Sequence, residues 1–240
     1  MMLSVYKREL QSYFYTPLGY VFLGVFLLLA GIFFMTGNLF SLSANLGLLF
    51  DSMSYLFMLV MPLITMRLIS EEKRQRTDQL LLTSPLRVEA IVGGKYLAAL
   101  TVLALAVILT FPCAAILFAY GTPHLPLVLS GYLGFFLLGA SYVAVGILMS
   151  SVTESQLTAA VATFGVNLMI QFIESVGPSL NVPLMPWLPK AIGWLSLYDR
   201  YYAFTAGLVT ISDLIYFLSV IFVLLFLTVR VIDARRWRSA

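Results

Sequence analysis

The 240-residue sequence predicts an all-α integral membrane protein with six transmembrane helices, a single domain over residues 1–240. Three observations lead there. Apolar residues make up 61% of the chain and charged residues only 10%, against roughly half and roughly a quarter in soluble domains; mean hydropathy is +0.97. Several charge-poor runs reach the ~20 residues that crossing a bilayer requires. All but two of the 14 Lys and Arg lie before residue 9, between Arg67 and Lys95, or after Val229, which puts those three regions on one side of a membrane.

The elements follow in order. Over residues 2–15, Leu3, Tyr6, Leu10, Tyr13 and Phe14 share one helical side, while Ser4, Lys7, Arg8 and Gln11 share the other. That pattern predicts an amphipathic interfacial helix with its cations near lipid phosphates. Charge precedes the first long apolar run and no small-residue cleavage site follows it, so the first span reads as retained. Thr16-Pro17 gives a helix cap with proline at the first position, and spans are expected at about 18–36, 52–69, 91–118, 127–150, 156–173 and 214–229. Pro112 is placed to kink the third.

Residues 175–212 are different. Pro178, Pro183, Pro186 and Pro189, with Gly177 and Gly193, forbid one continuous spanning helix. Trp187, Trp194, Tyr198, Tyr201 and Tyr202 suit a membrane–water boundary. Broken interfacial or re-entrant helices are expected between spans five and six. An even number of spans and the positive-inside rule then put both termini in the cytoplasm. Lys190 and Arg200 fall on the outer side, and the protein is read as a multi-pass protein of the cell (inner or plasma) membrane.

Six of the seventeen residues in "ISEEKRQRTDQLLLTSP", Ile69 to Pro85, are charged. Ser70 is positioned to cap a helix whose first turn carries Glu71 and Glu72. Glu72–Arg76 and Arg74–Asp78 are four-residue pairs that shape the helix, each contributing only ~0.2–0.5 kcal/mol. Leu80, Leu81 and Leu82 give it an apolar end, and Thr83-Ser84-Pro85 stops it. The product over 70–84 is a short charged helix parallel to the membrane and joined to two spans, suited to receiving force from a cytoplasmic partner. A solvated, orientation-setting loop is the plainer alternative.

Several motifs exclude chemistry. "VGGKY" is no P-loop: Glu89 stands where the first Gly is needed and Tyr96 where Ser or Thr is needed. "EEKRQR" matches an acid-pair motif of intramembrane proteases, but His124 is the only histidine and sits in a turn. No catalytic residue and no metal site is expected; Cys113 alone forms no disulfide within the chain. In span five, Gln156, Ala160, Thr163, Asn167, Gln171 and Glu174 recur at helical steps as a polar stripe. Thr163, Asn167, Gln171 and Glu174 are candidates for lining a pathway, with interhelical hydrogen bonding as the other reading. Span four carries Gly131, Gly134, Gly139, Ala140, Ser141, Ala144, Gly146 and Ser150, small residues that let helices pack closely.

The run "ISEEKRQRTDQLLLTSPLRVEAIVGGKYLAAL" resembles the signature of type-two ABC transporter permeases. Its parts are Glu71-Glu72, Lys73-Arg74, Thr77, Leu80-Leu81, Pro85 and Gly94-Lys95. "KRELQSYFYTPLGYVFLGVFLLLAGIFF" and "GLVTISDLIYFLSVIFVLLFLTVRV" are similar to the gliding-motility GldF branch, so the resemblance spans nearly the whole chain. Arg76 departs from it, since many relatives have Gly before the Thr. The resemblance implies a permease subunit of an ATP-driven exporter-type complex, half of a dimeric pathway, and not itself an enzyme. Residues 70–84 would be its coupling helix. Glu71, Glu72, Lys73, Arg74, Arg76, Thr77, Asp78, Leu80 and Leu81 would then couple it to a separate ATPase subunit. Glu71, Glu72, Arg74 and Arg76 are its expected charged contacts.

The implied partners are ATP-binding cassette subunits, a second permease chain (alike or different), and in the gliding-motility branch an auxiliary membrane-anchored subunit with an extracytoplasmic domain, besides membrane lipid. No nucleic acid and no cofactor on this chain are implied; ATP and Mg belong to the partner ATPase. An ion-coupled carrier or channel without an ATPase is the competing class. Such proteins usually carry charge at mid-membrane, and these spans hold almost none.

Overall fold

A chain this apolar satisfies its backbone polar groups within helices, because a bilayer offers no water to do so. The computed structural model is helical, with no strand among the residues it describes, which are 2–75, 87–176 and 196–236. In order these are α1 (Met2–Tyr15), α2 (Pro17–Phe34, continued by a π-helical turn Met35–Leu39), α3 (Gly47–Thr65), α4 (Ser70–Arg74), α5 (Val88–Leu109), α6 (Phe111–Tyr120), α7 (Leu125–Val152), α8 (Gln156–Val176), α9 (Leu197–Thr205) and α10 (Ile211–Arg236). Five stretches among the described residues are long and apolar enough to cross a membrane: Pro17–Leu39, Gly47–Arg74, Val88–Tyr120, Leu125–Val152 and Ile211–Ala234. The apolar stretch of α8, Gln156–Phe172, is shorter. Residues 76–84 of the charged segment and 177–195 of the proline-rich region lie outside the described residues.

Local chemistry sets the helix starts. Thr16 is extended (φ −97°, ψ 152°) with Pro17 next, as expected, yet its hydroxyl does not cap; it donates to the Ser12 carbonyl at 2.7 Å. The second long helix begins at Gly47 rather than Ser52, because Asn45 Oδ1 accepts the Gly47 N–H at 2.8 Å and turns the chain early. The third breaks outright at Thr110. Pro112 lies in the first turn of α6, where its missing N–H interrupts the ladder. Tyr132 of α7 donates to the Thr110 carbonyl at 3.1 Å and satisfies the break.

The axis of the bundle is α7, with 78% of its apolar window buried against 17% for α10. Without a hydrophobic drive between helices in lipid, close van der Waals packing must hold such a bundle. The glycines of α7 supply it. A Cβ at Gly131 would stand 2.5 Å from the Phe50 ring, at Gly134 2.4 Å from Phe204, at Gly139 2.9 Å from Leu103 and at Gly146 2.1 Å from Thr65 Oγ1. Helices α3, α5 and α9 therefore sit in these notches, and the small-residue stripe serves packing within one chain. Phe57 stacks on Phe135 at 4.3 Å, with Phe26 and Phe50 around them, to fill the middle.

The first helix, expected to lie in the membrane surface, also packs on protein: Val5 and Tyr13 are buried and α1 runs along the start of α5, while Leu3 stays exposed. Gly94 makes this approach feasible, since a Cβ there would fall 3.0 Å from Val5 Cβ and 3.1 Å from the Met2 carbonyl.

Candidate functional site

At the end of the bundle where α1, α4, α5 and the last turn of α7 meet, charges converge. Lys95 lies two turns inside α5 and is only 1% exposed. Its Nζ reaches Glu9 Oε1 at 3.0 Å, Glu72 Oε1 at 2.9 Å and the Leu68 carbonyl at 2.6 Å. Three acceptors match the three N–H groups of an ammonium. Arg8 Nη2 then caps the same two carboxylate oxygens, 2.9 Å from Glu9 and 2.8 Å from Glu72. Two cations and two anions close into a neutral cluster, the condition under which burial of charge is tolerable. Burial alone would push the Glu9 carboxyl up, but the Lys95 ammonium and the Arg8 guanidinium outweigh it and hold that carboxyl below its ordinary value. For Arg8, burial works against the charged form, and the two carboxylates outweigh it, so its pKa is raised.

A second set of bonds ties the same joint. Arg67 donates to Thr16 Oγ1 at 2.9 Å and to Ser12 Oγ at 2.6 Å, and lies 5.4 Å over the Tyr13 ring. Tyr13 donates to the Ile64 carbonyl at 2.8 Å. Ser150, at the end of α7, accepts the N–H groups of both Ile69 and Ser70 at 3.1 Å and donates to the Met66 carbonyl at 3.2 Å. The start of α4 is thus capped from another helix. Ser70, expected to be the cap, sits inside α4 and turns its hydroxyl back to Met66, because Ser150 already serves the free N–H groups. Lys73 donates to the Ser151 carbonyl.

Of the residues expected to face an ATPase, Glu72 and Lys73 are therefore held by the bundle itself. Glu71 is half-buried and accepts from Gln75 at 3.3 Å, and Arg74 is exposed. Arg76, Thr77, Asp78, Leu80 and Leu81 lie outside the described residues. On α8, Thr163 and Asn167 are fully buried, and Thr163 donates to the Ala159 carbonyl at 2.8 Å. Gln171 Oε1 is 3.5 Å from the Tyr142 hydroxyl; the Glu174 side chain lies outside the described residues. The polar stripe faces α3 and α7, while Leu157, Val161, Met169 and Phe172 are outward. No group of three or more His, Cys, Asp or Glu that could hold a metal occurs among the described residues.

Sequence reasoning passed over Lys95, Glu9 and Arg8 as participants. The signal was present: a lysine two turns into a span is costly unless paired, and Glu9 was the acid on the adjoining amphipathic helix. It also discounted "VGGKY" as a failed P-loop, whereas the structure gives both halves a task, Gly94 admitting α1 and Lys95 anchoring it.

A family model described as ABC-2 family transporter protein matches residues 43–232. The chain belongs to the ABC-2 transporter family. It is a transmembrane permease, of a kind that generally works with ATPase subunits. No individual curated protein matches the sequence. The matched stretch begins in the turn before α3 and ends within α10, so it takes in the charged segment and Lys95 but not α1. In this ABC-2 permease, the cluster therefore joins an N-terminal helix outside the matched region to the matched domain.

Proposed function

We propose that this ABC-2 permease is the membrane half of an ATP-driven exporter-type complex, in which residues 70–84 act as a coupling helix docked on a separate ATPase subunit. One observation carries the reading. The joint between α3 and α4 is bound at once to α1, α5 and α7 through Glu72, Lys95, Glu9, Arg8 and Ser150. A displacement applied to α4 is therefore transmitted to several long helices rather than absorbed by a loop. Glu71, Arg74 and Arg76, with Thr77, Asp78, Leu80 and Leu81 beyond them, are the ATPase-facing set, and Glu72 and Lys73 are the inward anchors. ATP and Mg are held by the partner.

In this reading α8 is a sixth span. Its 21 residues extend about 31 Å as a helix, close to the ~30 Å hydrocarbon core. Six spans return both termini to the cytoplasm of the cell membrane, as the distribution of Lys and Arg favours. Two permease chains, alike or different, form the pathway, with Thr163, Asn167, Gln171 and Glu174 as lining candidates once α8 moves from α3 and α7. The 175–212 region, on the outside, is where an auxiliary extracytoplasmic subunit would touch, and the likeness to the gliding-motility branch supports one.

The test is charge reversal, Arg74→Glu with Arg76→Glu, in the complex reconstituted in vesicles with its ATPase. ATP hydrolysis is expected to continue while transport is lost. Transport at the wild-type rate would remove the coupling assignment, and cargo movement by the permease chain reconstituted alone would restore the carrier alternative.

A further inference from the structure

At the opposite end of α3, 14 residues and so about 21 Å from Thr65 along the helix, lies a second polar group that no part of the coupling reading uses. Asp51 belongs to the first part of α3, and Tyr55 is one turn later on the same face. From α9, Tyr198 lies tilted against Tyr55 with ring centroids 5.8 Å apart and interplanar angle 43°, and Tyr201 follows Tyr198 at 5.8 Å and 50°. The three rings make a row from Tyr55, which is 48% exposed, to Tyr201, which is fully buried. Tyr142 of α7, whose hydroxyl lies 3.5 Å from Gln171 Oε1 of α8, interacts electrostatically with the inner ring, Tyr201. The Tyr198 and Tyr201 hydroxyls are pushed well above their ordinary value by burial first, and both also feel the Asp51 carboxylate.

Two of these groups keep unspent bonding capacity. Asp51 Oδ1 and the Tyr201 hydroxyl are buried with no hydrogen-bond partner among the described residues. Leaving such groups unmade is costly, about 1–3 kcal/mol for each and more for a charge. Nor is there a cation at hand among the described residues: Arg200, beside Tyr201 in sequence, is spent on Asp213 at 2.9 Å and on the Tyr216 ring at 4.1 Å. A carboxylate without a counter-charge, one helical turn from an exposed tyrosine ring that touches two more, is the arrangement that attracts a weakly hydrated cation.

We propose that Asp51, Tyr55, Tyr198 and Tyr201 form a binding site for a protonated or quaternary amine, carried by a soluble small molecule or by a zwitterionic lipid headgroup. The carboxylate supplies the charge and the rings supply the walls. The Tyr201 hydroxyl accepts from or donates to the polar remainder of the ligand. Tyr55, half exposed, forms the entrance. The site stands apart from the coupling reading, since it is read as binding by the permease chain alone.

Thermal unfolding of the full-length purified chain in phosphatidylglycerol nanodiscs tests it. Choline chloride, ethanolamine hydrochloride and choline's uncharged dimethylbutanol isostere are each titrated at constant ionic strength. A saturable rise in Tm with an amine and none with the isostere is expected. Asp51→Asn should abolish the rise. Tyr55→Leu, at an exposed ring, should weaken the apparent affinity about three- to tenfold, read as the shift from that variant's own unliganded Tm. Replacing part of the phosphatidylglycerol with phosphatidylcholine distinguishes the sources. If that lipid alone gives the shift and Asp51→Asn removes it, the headgroup is the ligand; if free choline gives it, a soluble amine is. Equal responses in the wild type and Asp51→Asn, or equal stabilisation by the isostere, overturn the proposal. So does a response seen only in Lys190→Gln, for then the chain's own ammonium is the occupant.

Discussion

Lys95 decides more than any other single side chain. Replacing it with Met would leave Glu9 and Glu72 sharing one buried corner with only the half-exposed Arg8 between them. The expected loss is about 3 kcal/mol, the low end for breaking a buried pair because both acids keep some contact with solvent; it is read as a drop in Tm of the purified protein. Glu9 also sets an acid limit. Its carboxyl is held below the ordinary 4.5 by Lys95 and Arg8 despite burial, so the folded state binds this proton less readily than the unfolded chain does. Its contribution is whole at neutral pH, begins to fade below 4.5 and is lost as the pH passes down through the lower folded value. Unfolding followed from neutrality to about pH 3 should show that decline, and Glu9→Gln should flatten it. Ser150→Ala leaves two buried N–H groups without an acceptor and should cost about 1–3 kcal/mol for each, a capping role that its place in the small-residue run of α7 does not announce.

Among the elements, α7 shows how sequence and packing divide the work. Its run of small residues predicts close approach by some neighbour, and the structure names the neighbours. Gly146→Ala would force a Cβ to within 2.1 Å of Thr65 Oγ1 and should cost about 1–3 kcal/mol through overpacking. Gly165 in α8 has open space around its Cβ position, so Gly165→Ala should be neutral or stabilising by up to about 1 kcal/mol from helix propensity. Parallel thermal unfolding of the two variants separates a packing glycine from a permissive one. The amphipathic pattern of α1 was equally plain, but a pattern does not say whether lipid or protein covers the apolar side. Gly94 resolves this for protein, and Gly94→Leu should detach α1, read as faster proteolysis before residue 16 with the remaining bundle intact.

For the whole molecule, the proposed function makes the charged segment a lever fixed at its base. The charged segment leaves a joint held by α1, α3, α5 and α7, so on the proposed reading loosening the joint and blunting the docking surface should fail differently. Lys95→Met in the reconstituted complex should lower transport per ATP hydrolysed while ATPase binding persists, whereas reversal at Arg74 and Arg76 should weaken ATPase binding as well. Pull-down of the ATPase alongside transport and hydrolysis assays distinguishes them. Equal loss of binding in both would mean that the joint does not transmit motion independently of docking. At the far end, the aromatic boundary read from Tyr198, Tyr201 and Tyr202 proved to be partly a buried row, since Tyr201 is enclosed.

The sequence by itself determined the solvent of this protein, its helical class, a helix start at Pro17 and a distortion near Pro112, and the transporter family to which its charged segment points. These are local or compositional properties, fixed by length, hydropathy and the chemistry of proline. Tertiary structure decided which charges cancel and which remain open. Arg8, Glu9, Glu72 and Lys95 are scattered over 88 positions, and Asp51, Tyr55, Tyr198 and Tyr201 over 151. Coulombic and hydrogen-bond energies depend on separations of a few ångströms, and only the packing of α1 against α5 and of α9 against α7 brings those side chains that close.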